Sequence, residues 1–383
     1  MNKPRILIVV TDPATVNAFL EMHLKRLCKK YRISLAFNMK LGAVKHVFSE
    51  VEFIHIPLSR KINLLIDVLA LGHLIKFLNR KSFSAVISVT PKAGFIAAIA
   101  GRLYRIPVRI HWFTGQVWAT KSGLVRKFLR AIDSCIGFLV TNAFVDSFSQ
   151  YEFLVENKVL SRDKGQVICS GSISGVDLDR FKSNAKFRAK IREGYSISTS
   201  DCVFIFLGRL NRDKGIFDLL QAAAKAVSFD SKIHLFVVGP DEEDVIRTAR
   251  DSGLLSSNIH VIPKTEKPED WLSVGDVFCL PSHREGFGTS VLEAAAIGLP
   301  AIGSSIYGLT DAIVHDVTGI LVNPKDIDGL CAAMVNLSKK REVRKEMGNA
   351  AYCRVSEHFQ TFMLVDAFDE ILHSLIFIND SQG

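Results

Sequence analysis

The sequence of 383 residues predicts an α/β protein with two doubly wound domains that face each other across a cleft. Short apolar runs, typical of buried parallel strands, alternate with stretches of helical period along the whole chain. The alternation starts afresh near residue 201, and the length allows two domains of ordinary size. Hydrophobic residues make up 48% of the chain, which is enough for two substantial cores.

Composition also marks the predicted domain boundaries. Residues 1–180 are expected to form the N-terminal domain and residues 201–360 the C-terminal domain. The segment between them, 181–200, is polar and charged, which is typical of a linker. Residues 361–383 have helical period, and we expect them to form a helix that packs back on the N-terminal domain.

Strands and helices alternate within both predicted domains. One long apolar helix, or two helices broken near Gly72, is expected from Leu58 to Arg80, and this segment could lie on a membrane surface or be buried against the sheet. The strands expected in the N-terminal domain are Arg5–Val10, Ile33–Phe37, Val51–Ile56, Ala85–Val89, Val108–His111, Phe138–Thr141 and Val167–Ser170. Those expected in the C-terminal domain are Val203–Leu207, Leu235–Val238, Ile259–Ile262, Asp276–Leu280 and Pro300–Gly303.

The net charge of +9 is unevenly distributed. Residues 1–180 contain 26 Lys and Arg against 12 Asp and Glu, whereas the rest of the chain contains 22 against 27. A basic half indicates an anionic partner, for which nucleic acid, an acidic membrane surface and a phosphorylated acceptor are all candidates. Because no basic-aromatic recognition motif is present, nucleic acid is the least favoured of the three.

The seven cysteines are scattered singly, which is typical of free thiols in a reducing cytoplasm. No apolar run reaches the eighteen or so residues of a membrane span, so we expect none. The N-terminus leads directly into a strand, so we expect no signal peptide. Composition therefore argues against an integral membrane protein and a disulfide-rich scaffold.

The most informative stretch runs from the strand Asp276–Leu280 through the loop Glu285–Gly288 into a helix that starts near Thr289. Glycines and an open first helical turn together favour a phosphate ligand. Glu285 and Glu293 flank this loop, and their carboxylates can accept hydrogen bonds from sugar hydroxyls. The pattern therefore suggests a nucleotide sugar. Alternatively, Glu293 belongs to a capping box with Ser290, and Glu285 is an ordinary loop acid.

A second candidate segment, Gly208 to Gly215, also connects a strand to a helix. Arg209 and Lys214 within it can bracket a diphosphate, the first by paired hydrogen bonds and the second as a point charge. The spacing is not that of a Walker loop. Alternatively, both are ordinary surface cations.

His111 is a third candidate, because it lies at the end of a predicted strand and before the loop Phe113-Thr114-Gly115-Gln116. Open α/β sheets bind ligands at such strand ends. The alternative is a structural histidine at the end of the strand.

Taken together, these residues resemble retaining glycosyltransferases of glycosyltransferase family four, which have two Rossmann-like domains in the GT-B fold. Glu285 and Glu293 match the E-x7-E signature of that family, and Gly208-Arg209-Leu210 and Lys214-Gly215 match its other loop. The resemblance covers most of the C-terminal half. The loop at 113–116 is similar to those of bacterial capsule and O-antigen enzymes.

The resemblance implies transfer of a hexose or N-acetylhexosamine from a nucleoside-diphosphate sugar to a hydroxyl of a lipid-linked saccharide. It implies that Glu285 holds the donor sugar, that Glu293 holds the ribose, and that His111 lies beside the donor sugar. The residues that the resemblance implies to be catalytic are Glu285, His111, Arg209 and Lys214. No cofactor or metal is expected, because Asp177-Leu178-Asp179 matches the segment near the domain crossover and not a metal-binding D-x-D motif. The donor diphosphate would be bound by Gly208, Arg209, Lys214, Gly286, Phe287, Gly288 and Thr289.

The resemblance and the basic N-terminal half also predict a peripheral cytoplasmic protein on the inner face of the plasma membrane. The cations expected to face acidic lipid are Arg60, Lys61, Arg102, Arg105, Arg126, Lys127 and Arg130. One departure from the family lies in residues 11–14, where many members carry two glycines. Two other functions stay open: a sugar-nucleotide epimerase of the same fold, and a non-catalytic nucleotide-sugar-binding protein.

Overall fold

The computed structural model of the protein describes residues 3–42, 44, 50–59 and 63–380. The chain divides into two compact units, which are Met1–Ser174 with Thr361–Gly383, and Gly175–Gln360. Each unit contains a sheet in which all the strand pairs of the described residues are parallel. The predicted fold class of two doubly wound α/β domains is confirmed.

The first unit has a seven-stranded sheet in the order β3-β2-β1-β4-β5-β6-β7. Its strands are apolar throughout because helices cover both faces: in β1, Ile6 and Ile8 enter one core, and Leu7 and Val9 enter another. The elements are β1 Arg5–Val9, α1 Pro13–Thr15, a π-helix Val16–Leu20, α2 Glu21–Leu27, β2 Arg32–Phe37, a 3-10 helix Met39–Leu41, β3 Glu52–His55, α3 Leu64–Leu78, β4 Ala85–Val89, α4 Pro91–Leu103, β5 Val108–Phe113, a 3-10 helix Val117–Thr120, α5 Gly123–Leu139, β6 Asn142–Val145, α6 Phe148–Glu156 and β7 Gly165–Val167.

The second unit has a six-stranded sheet in the order β10-β9-β8-β11-β12-β13. One hydrophobic core includes its strands and helices, with the β8 residues from Val203 to Phe206 fully buried. The elements are α7 Ala185–Gly194, β8 Cys202–Leu207, a 3-10 helix Arg212–Lys214, α8 Ile216–Phe229, β9 Ile233–Val238, α9 Val245–Asp251, β10 Ile259–Ile262, α10 Pro268–Leu272, β11 Val277–Leu280, α11 Thr289–Ala296, β12 Ala301–Ser304, α12 Leu309–Ala312, β13 Gly319–Val322, α13 Ile327–Lys339 and α14 Arg341–His358.

The C-terminal helix, α15 Thr361–Asp380, packs against α2 in the first unit. Its residues Leu364, Phe368, Leu372 and Ile376 are buried at a spacing of four, as expected for the apolar stripe of a helix. Asp369, on the same helix, is fully buried and forms ion pairs with Arg26 at 3.0 Å and Lys30 at 2.8 Å.

The segment predicted as a linker, residues 181–200, contains the helix α7 and belongs to the second unit. Arg188 and Arg192 of this helix bind the carboxylate of Asp276, at 2.6 Å and 3.3 Å. The linker prediction is therefore wrong for this segment, because some of its charged residues, Arg188 and Arg192, attach α7 to the second unit.

Three predicted elements in the first unit are also corrected. The strands expected at 138–141 and 167–170 are wrong, because α5 continues to Leu139 and the strands are β6 and β7. The helix expected from Leu58 begins only at Leu64, where Asn63 caps it by accepting a hydrogen bond from the backbone N–H of Ile66. Arg60 and Lys61 lie outside the described residues.

Candidate functional site

The two candidate loops of the second unit, 208–215 and 281–288, follow neighbouring strands at the centre of the sheet. Loop 208–215 follows β8 and loop 281–288 follows β11. The next strand after β8 in the chain, β9, lies on the other side of β8. The carboxyl ends of β8 and β11 therefore form a topological switch point, where open α/β sheets bind their ligands.

The two loops are fastened to each other. Gly215 has φ +67°, and a Cβ there would lie 1.9 Å from the carbonyl oxygen of Pro281, so only glycine allows this approach. The backbone N–H of His283 donates to the carbonyl oxygen of Asp213 at 2.8 Å. The guanidinium of Arg284 donates to the carboxylate of Asp213 at 2.8 Å. Side chains on the two loops are therefore held in a defined relative position.

Glu285 and Lys214 form an ion pair across the two loops. The Lys214 ammonium donates to Glu285 Oε1 at 2.5 Å, and the buried Ser282 hydroxyl donates to the same oxygen at 2.8 Å. Only 9% of the Glu285 surface is exposed. The alternative of an ordinary loop acid is therefore wrong, because a solvated acid would not be buried between two specific donors.

Arg209 has a partner on the loop after β9. Its guanidinium donates to the Glu242 carboxylate at 2.9 Å, and the Asn211 side-chain amide donates to the same oxygen at 2.9 Å. The Arg209 side chain remains about half exposed. Glu242 thus restricts where the guanidinium lies and leaves part of it accessible to an anion.

The helix α11 begins at the candidate loop without a side-chain cap. Its N-cap residue is Gly288 at φ +88°, and no side chain accepts a hydrogen bond from the first turn. The capping-box alternative is therefore wrong, since Ser290 lies inside the helix. Thr289 is the first helical residue, and the open first turn favours an anion.

Glu293 lies one turn into α11 and is partly buried. It makes no hydrogen bond or ion pair with any described residue. Burial raises its pKa to about 7, with Glu269 raising it further and Arg180 opposing the shift. An unpaired carboxyl group on a helix whose first turn is uncapped is available to a ligand that carries hydroxyl groups.

Three other predicted site residues are held by the protein itself. Phe287 is buried and packs against Phe359, with 5.2 Å between ring centroids, so the predicted contact with the donor is left to its backbone N–H group. The backbone N–H of Gly208 donates to the carbonyl oxygen of Val238 at 3.0 Å, which ties its loop to the end of β9. Gly286 is buried and stays within the loop.

His111 lies in the first unit and is placed differently from the prediction. The strand β5 continues beyond it to Phe113, and only 1% of the histidine is exposed. Its Nδ1 lies 2.9 Å from the Ser88 hydroxyl, and a Cβ on Gly94 would lie 2.4 Å from its ring. Burial lowers its pKa to about 3. The catalytic assignment is therefore withdrawn, because the ring is enclosed by β4 and α4.

The D-x-D segment forms a turn. Asp177 Oδ1 accepts a hydrogen bond from the backbone N–H of Asp179 at 2.9 Å, and Asp179 pairs with Lys182 at 2.8 Å. Over residues 3–42, 44, 50–59 and 63–380, no group of three or more His, Cys, Asp or Glu side chains is arranged to hold a metal ion.

Sequence reasoning missed three residues that hold the site together. They are Ser282, which donates to Glu285, Asp213, which joins the two loops, and Glu242, which binds Arg209. Asp213 lies within the candidate segment 208–215, and Ser282 lies between the predicted strand Asp276–Leu280 and the loop Glu285–Gly288, so their polarity was an available signal. Glu242 lies in another loop, and only the adjacency of β8 and β9 brings it to Arg209.

The part of the chain that contains both loops is similar in sequence to known proteins. Residues 187–354, which include both loops and α11, match the model of the family described as Glycosyl transferases group 1. A Staphylococcus aureus relative, named Capsular polysaccharide biosynthesis glycosyltransferase CapM, is 27% identical over 331 residues, or 86% of each chain. The chain is a glycosyltransferase.

A second relative of this glycosyltransferase, from Escherichia coli, is named UDP-Gal:alpha-D-GlcNAc-diphosphoundecaprenol alpha-1,3-galactosyltransferase and is 26% identical over 73% of each chain. Among solved structures, Anabaena HepE in complex with UDP and glucose is similar, with a TM-score of 0.80 over 97% of this chain and 100% of that one. Their identity is 17%, so this likeness concerns the fold. The predicted GT-B fold of the glycosyltransferase is confirmed.

Proposed function

We propose that this glycosyltransferase moves a hexose or N-acetylhexosamine from a nucleoside-diphosphate sugar to a hydroxyl of a lipid-linked saccharide, with retention of anomeric configuration. The observation that carries the proposal is the meeting of two cations, two carboxyl groups and an uncapped helix start at one switch point. Cations and helix N–H groups suit a diphosphate, and carboxylates suit sugar hydroxyls.

The cations would stabilise the leaving group. As the glycosidic bond to the donor breaks, negative charge grows on the departing diphosphate. Arg209 can share its accessible N–H groups with a phosphate oxygen while it stays bound to Glu242. Lys214 and the first turn of α11, from Thr289, add positive potential on the same side.

The two carboxyl groups would hold the sugar and the ribose. Both donors to Glu285 bind Oε1, so Oε2 can accept a hydrogen bond from a donor-sugar hydroxyl. Glu293 has a carboxyl group without a described partner, which suits the paired hydroxyls of a ribose. Neither residue has to act as a nucleophile, since front-face substitution with donor-phosphate assistance needs none.

The relatives support the kind of donor and acceptor. The HepE structure was determined with UDP and glucose, and the Escherichia coli relative is named for an acceptor attached to diphosphoundecaprenol. The Staphylococcus aureus relative is named for capsular polysaccharide biosynthesis. We therefore propose that the acceptor is lipid-linked, that the product enters a surface polysaccharide, and that the enzyme works at the inner face of the plasma membrane.

Product identification tests the proposal. The protein is incubated with a panel of nucleotide sugars and with bacterial lipid extracts, and the products are identified by mass spectrometry. A mass increase of one sugar on a lipid-linked saccharide is expected. Release of an isomerised sugar nucleotide without acceptor would indicate an epimerase, and tight binding without turnover would indicate a binding protein.

Chelation provides a second test, because Arg209 and Lys214 are proposed to neutralise the diphosphate in the role that a metal ion would otherwise have. The rate of transfer is expected to be the same in EDTA alone as in EDTA to which excess magnesium has been added. A loss of activity that magnesium or manganese restores would contradict the metal-independent mechanism.

A further inference from the structure

The helix α5, Gly123–Leu139, turns an apolar stripe towards solvent. Leu124, Phe128 and Phe138 are 82%, 52% and 79% exposed, and Ala131 and Cys135 lie between them on the same side. The spacings of three and four residues place them along one face. At 1.5 Å per residue this stripe is roughly 20 Å long.

The rotation of α5 is determined by its opposite face. The Asp133 carboxylate is buried there and accepts a hydrogen bond from the Trp118 indole at 2.8 Å. Ile136 is fully buried, and a Cβ on Gly137 would lie 2.3 Å from the carbonyl oxygen of Val159. Because these contacts hold the helix, it cannot turn its apolar stripe inward.

The neighbouring helices continue the exposed apolar surface. α5 packs on α4, and α4 packs on α3. Leu65, Val68 and Leu69 of α3 are well exposed, as is Leu103 at the end of α4. We call the solvent-facing side of these three helices the α3–α5 face.

Cations surround the α3–α5 face, and its few acids are already paired or buried. The only acidic residues of the three helices are Asp67, which pairs with Lys92 at 2.9 Å, and the buried Asp133. Exposed cations on or next to these helices, none of which forms an ion pair with the part of the chain that the structure describes, are Lys76, Arg80, Arg102, Arg105, Lys121, Lys127 and Arg130.

We propose that the α3–α5 face docks on a bilayer that contains anionic phospholipid, with α5 lying flat in the headgroup region. Apolar side chains flanked by cations on one solvent-facing surface match such an interface, where the chains enter the acyl boundary and the cations meet phosphate. A second copy of this protein fits less well, because a symmetric contact would bring the same cations together.

This inference deepens the proposed function and rests on it for its purpose, which is to bring the enzyme to a lipid-linked acceptor. It also refines the predicted set of membrane-facing cations. Arg126 lies over the Trp118 ring, with 5.6 Å from its guanidinium carbon to the centroid, and is partly buried. Lys127 and Arg130 are the cations that flank the α5 stripe.

Cosedimentation with vesicles tests the docking. The full-length protein is expected to bind vesicles of phosphatidylcholine with phosphatidylglycerol, to bind phosphatidylcholine alone weakly, and to dissociate as salt rises. The paired substitutions Leu124→Ser with Phe128→Ser, and Lys127→Glu with Arg130→Glu, should each weaken binding by about tenfold or more. The matched controls in the second unit, Phe229→Ser and Lys190→Glu, alter an exposed aromatic residue and an exposed cation and should bind as the unaltered protein does.

Tryptophan fluorescence reports whether α5 enters the bilayer, and a change in the overall charge of the protein does not by itself produce this signal. A tryptophan at position 128, from Phe128→Trp, should shift its emission to shorter wavelength when anionic vesicles are added. A tryptophan from the control Phe229→Trp should not shift. The docking proposal would be overturned if all variants bound vesicles equally, or if the protein bound neutral vesicles as well as anionic ones. It would also be overturned if the protein bound no vesicles and instead formed a dimer that the α5 substitutions abolish.

Transfer assays separate this inference from the proposed function. Transfer of sugar by an unaltered protein that fails to bind anionic vesicles would overturn the docking and leave the function. If the protein binds vesicles through α5 but transfers no sugar, the docking proposal stands and the proposed function is overturned.

Discussion

The Lys214 ammonium lies 2.5 Å from the Glu285 carboxylate, although 71 residues separate the two in the chain. Both side chains are largely shielded from water, and they belong to the two loops that meet at the switch point of the second unit. A lysine proposed to bind the diphosphate and a glutamate proposed to bind the sugar therefore hold each other in position before any ligand arrives. This pairing determines what each substitution is expected to do.

Replacement of either cation by alanine should lower turnover by about 100-fold or more, because each is proposed to stabilise the leaving diphosphate. The consequences for stability should differ. Arg209→Ala breaks a half-exposed ion pair, which contributes about 0–1 kcal/mol. Lys214→Ala leaves the buried Glu285 carboxylate without its cation and with the Ser282 hydroxyl as its remaining donor, and we expect a loss of roughly 2 kcal/mol.

Steady-state kinetics and thermal unfolding check this prediction, with Lys190→Ala, an exposed cation on α7, as the control. Near-normal turnover in both variants would show that the diphosphate is bound elsewhere.

Glu285→Gln should reduce transfer and leave the affinity for the free nucleoside diphosphate unchanged, because the proposed partner of Glu285 is the donor sugar. The amide oxygen of glutamine can still accept the Ser282 hydrogen bond, so the loop should keep its conformation. Calorimetry with the nucleoside diphosphate and with the full donor separates the two contacts. Equal weakening for both ligands would contradict the sugar assignment, and the exposed Glu346→Gln serves as control.

Donor affinity should depend on pH through Glu293, whose pKa burial raises to about 7. Below that pKa the folded protein carries a proton on the carboxyl group, and a ligand that needs the carboxylate must displace it. Affinity for the nucleotide sugar should therefore fall about tenfold from about pH 8 to about pH 6. The donor diphosphate diester does not titrate in this range, and Glu293→Gln should bind with nearly constant affinity. A wild-type profile as flat as that of the variant would remove Glu293 from the donor site.

His111→Asn should destabilise the first unit and leave the turnover of folded enzyme almost unchanged, because the ring is enclosed within the sheet. We expect a loss of about 1–3 kcal/mol from the contacts with Ser88 and the surrounding core. A large fall in turnover with an unchanged unfolding midpoint would restore the catalytic assignment.

The pH dependence of unfolding provides an independent reading on His111. Burial lowers its pKa from 6.5 to about 3, so the folded state binds fewer protons than the unfolded state between these values. The stability that the neutral ring contributes is present above about pH 6.5 and is lost as pH falls towards the folded pKa, by about 1.4 kcal/mol per pH unit. Unfolding by urea at several pH values should show this slope in the wild type relative to His111→Asn.

The sequence by itself determined the fold class and the position of the two candidate loops in the chain. Apolar runs and helical period are local properties, and they predicted most strands because a parallel strand covered on both faces must be apolar along its length. Glycines, cations and carboxylates at strand ends are equally local. The order of residues along the chain was therefore enough to single out Arg209, Lys214, Glu285 and Glu293.

Tertiary structure alone decided which of these groups meet and which are covered. The pairing of Lys214 with Glu285, and of Arg209 with Glu242, follows from the order of β8, β9 and β11 in the sheet, which no local pattern encodes. His111 became a core residue because β5 lies inside the sheet beneath α4. Burial and partner choice depend on contacts between distant segments, so the solvent-facing stripe of α5 was visible only after Asp133 and Gly137 had set the rotation of the helix.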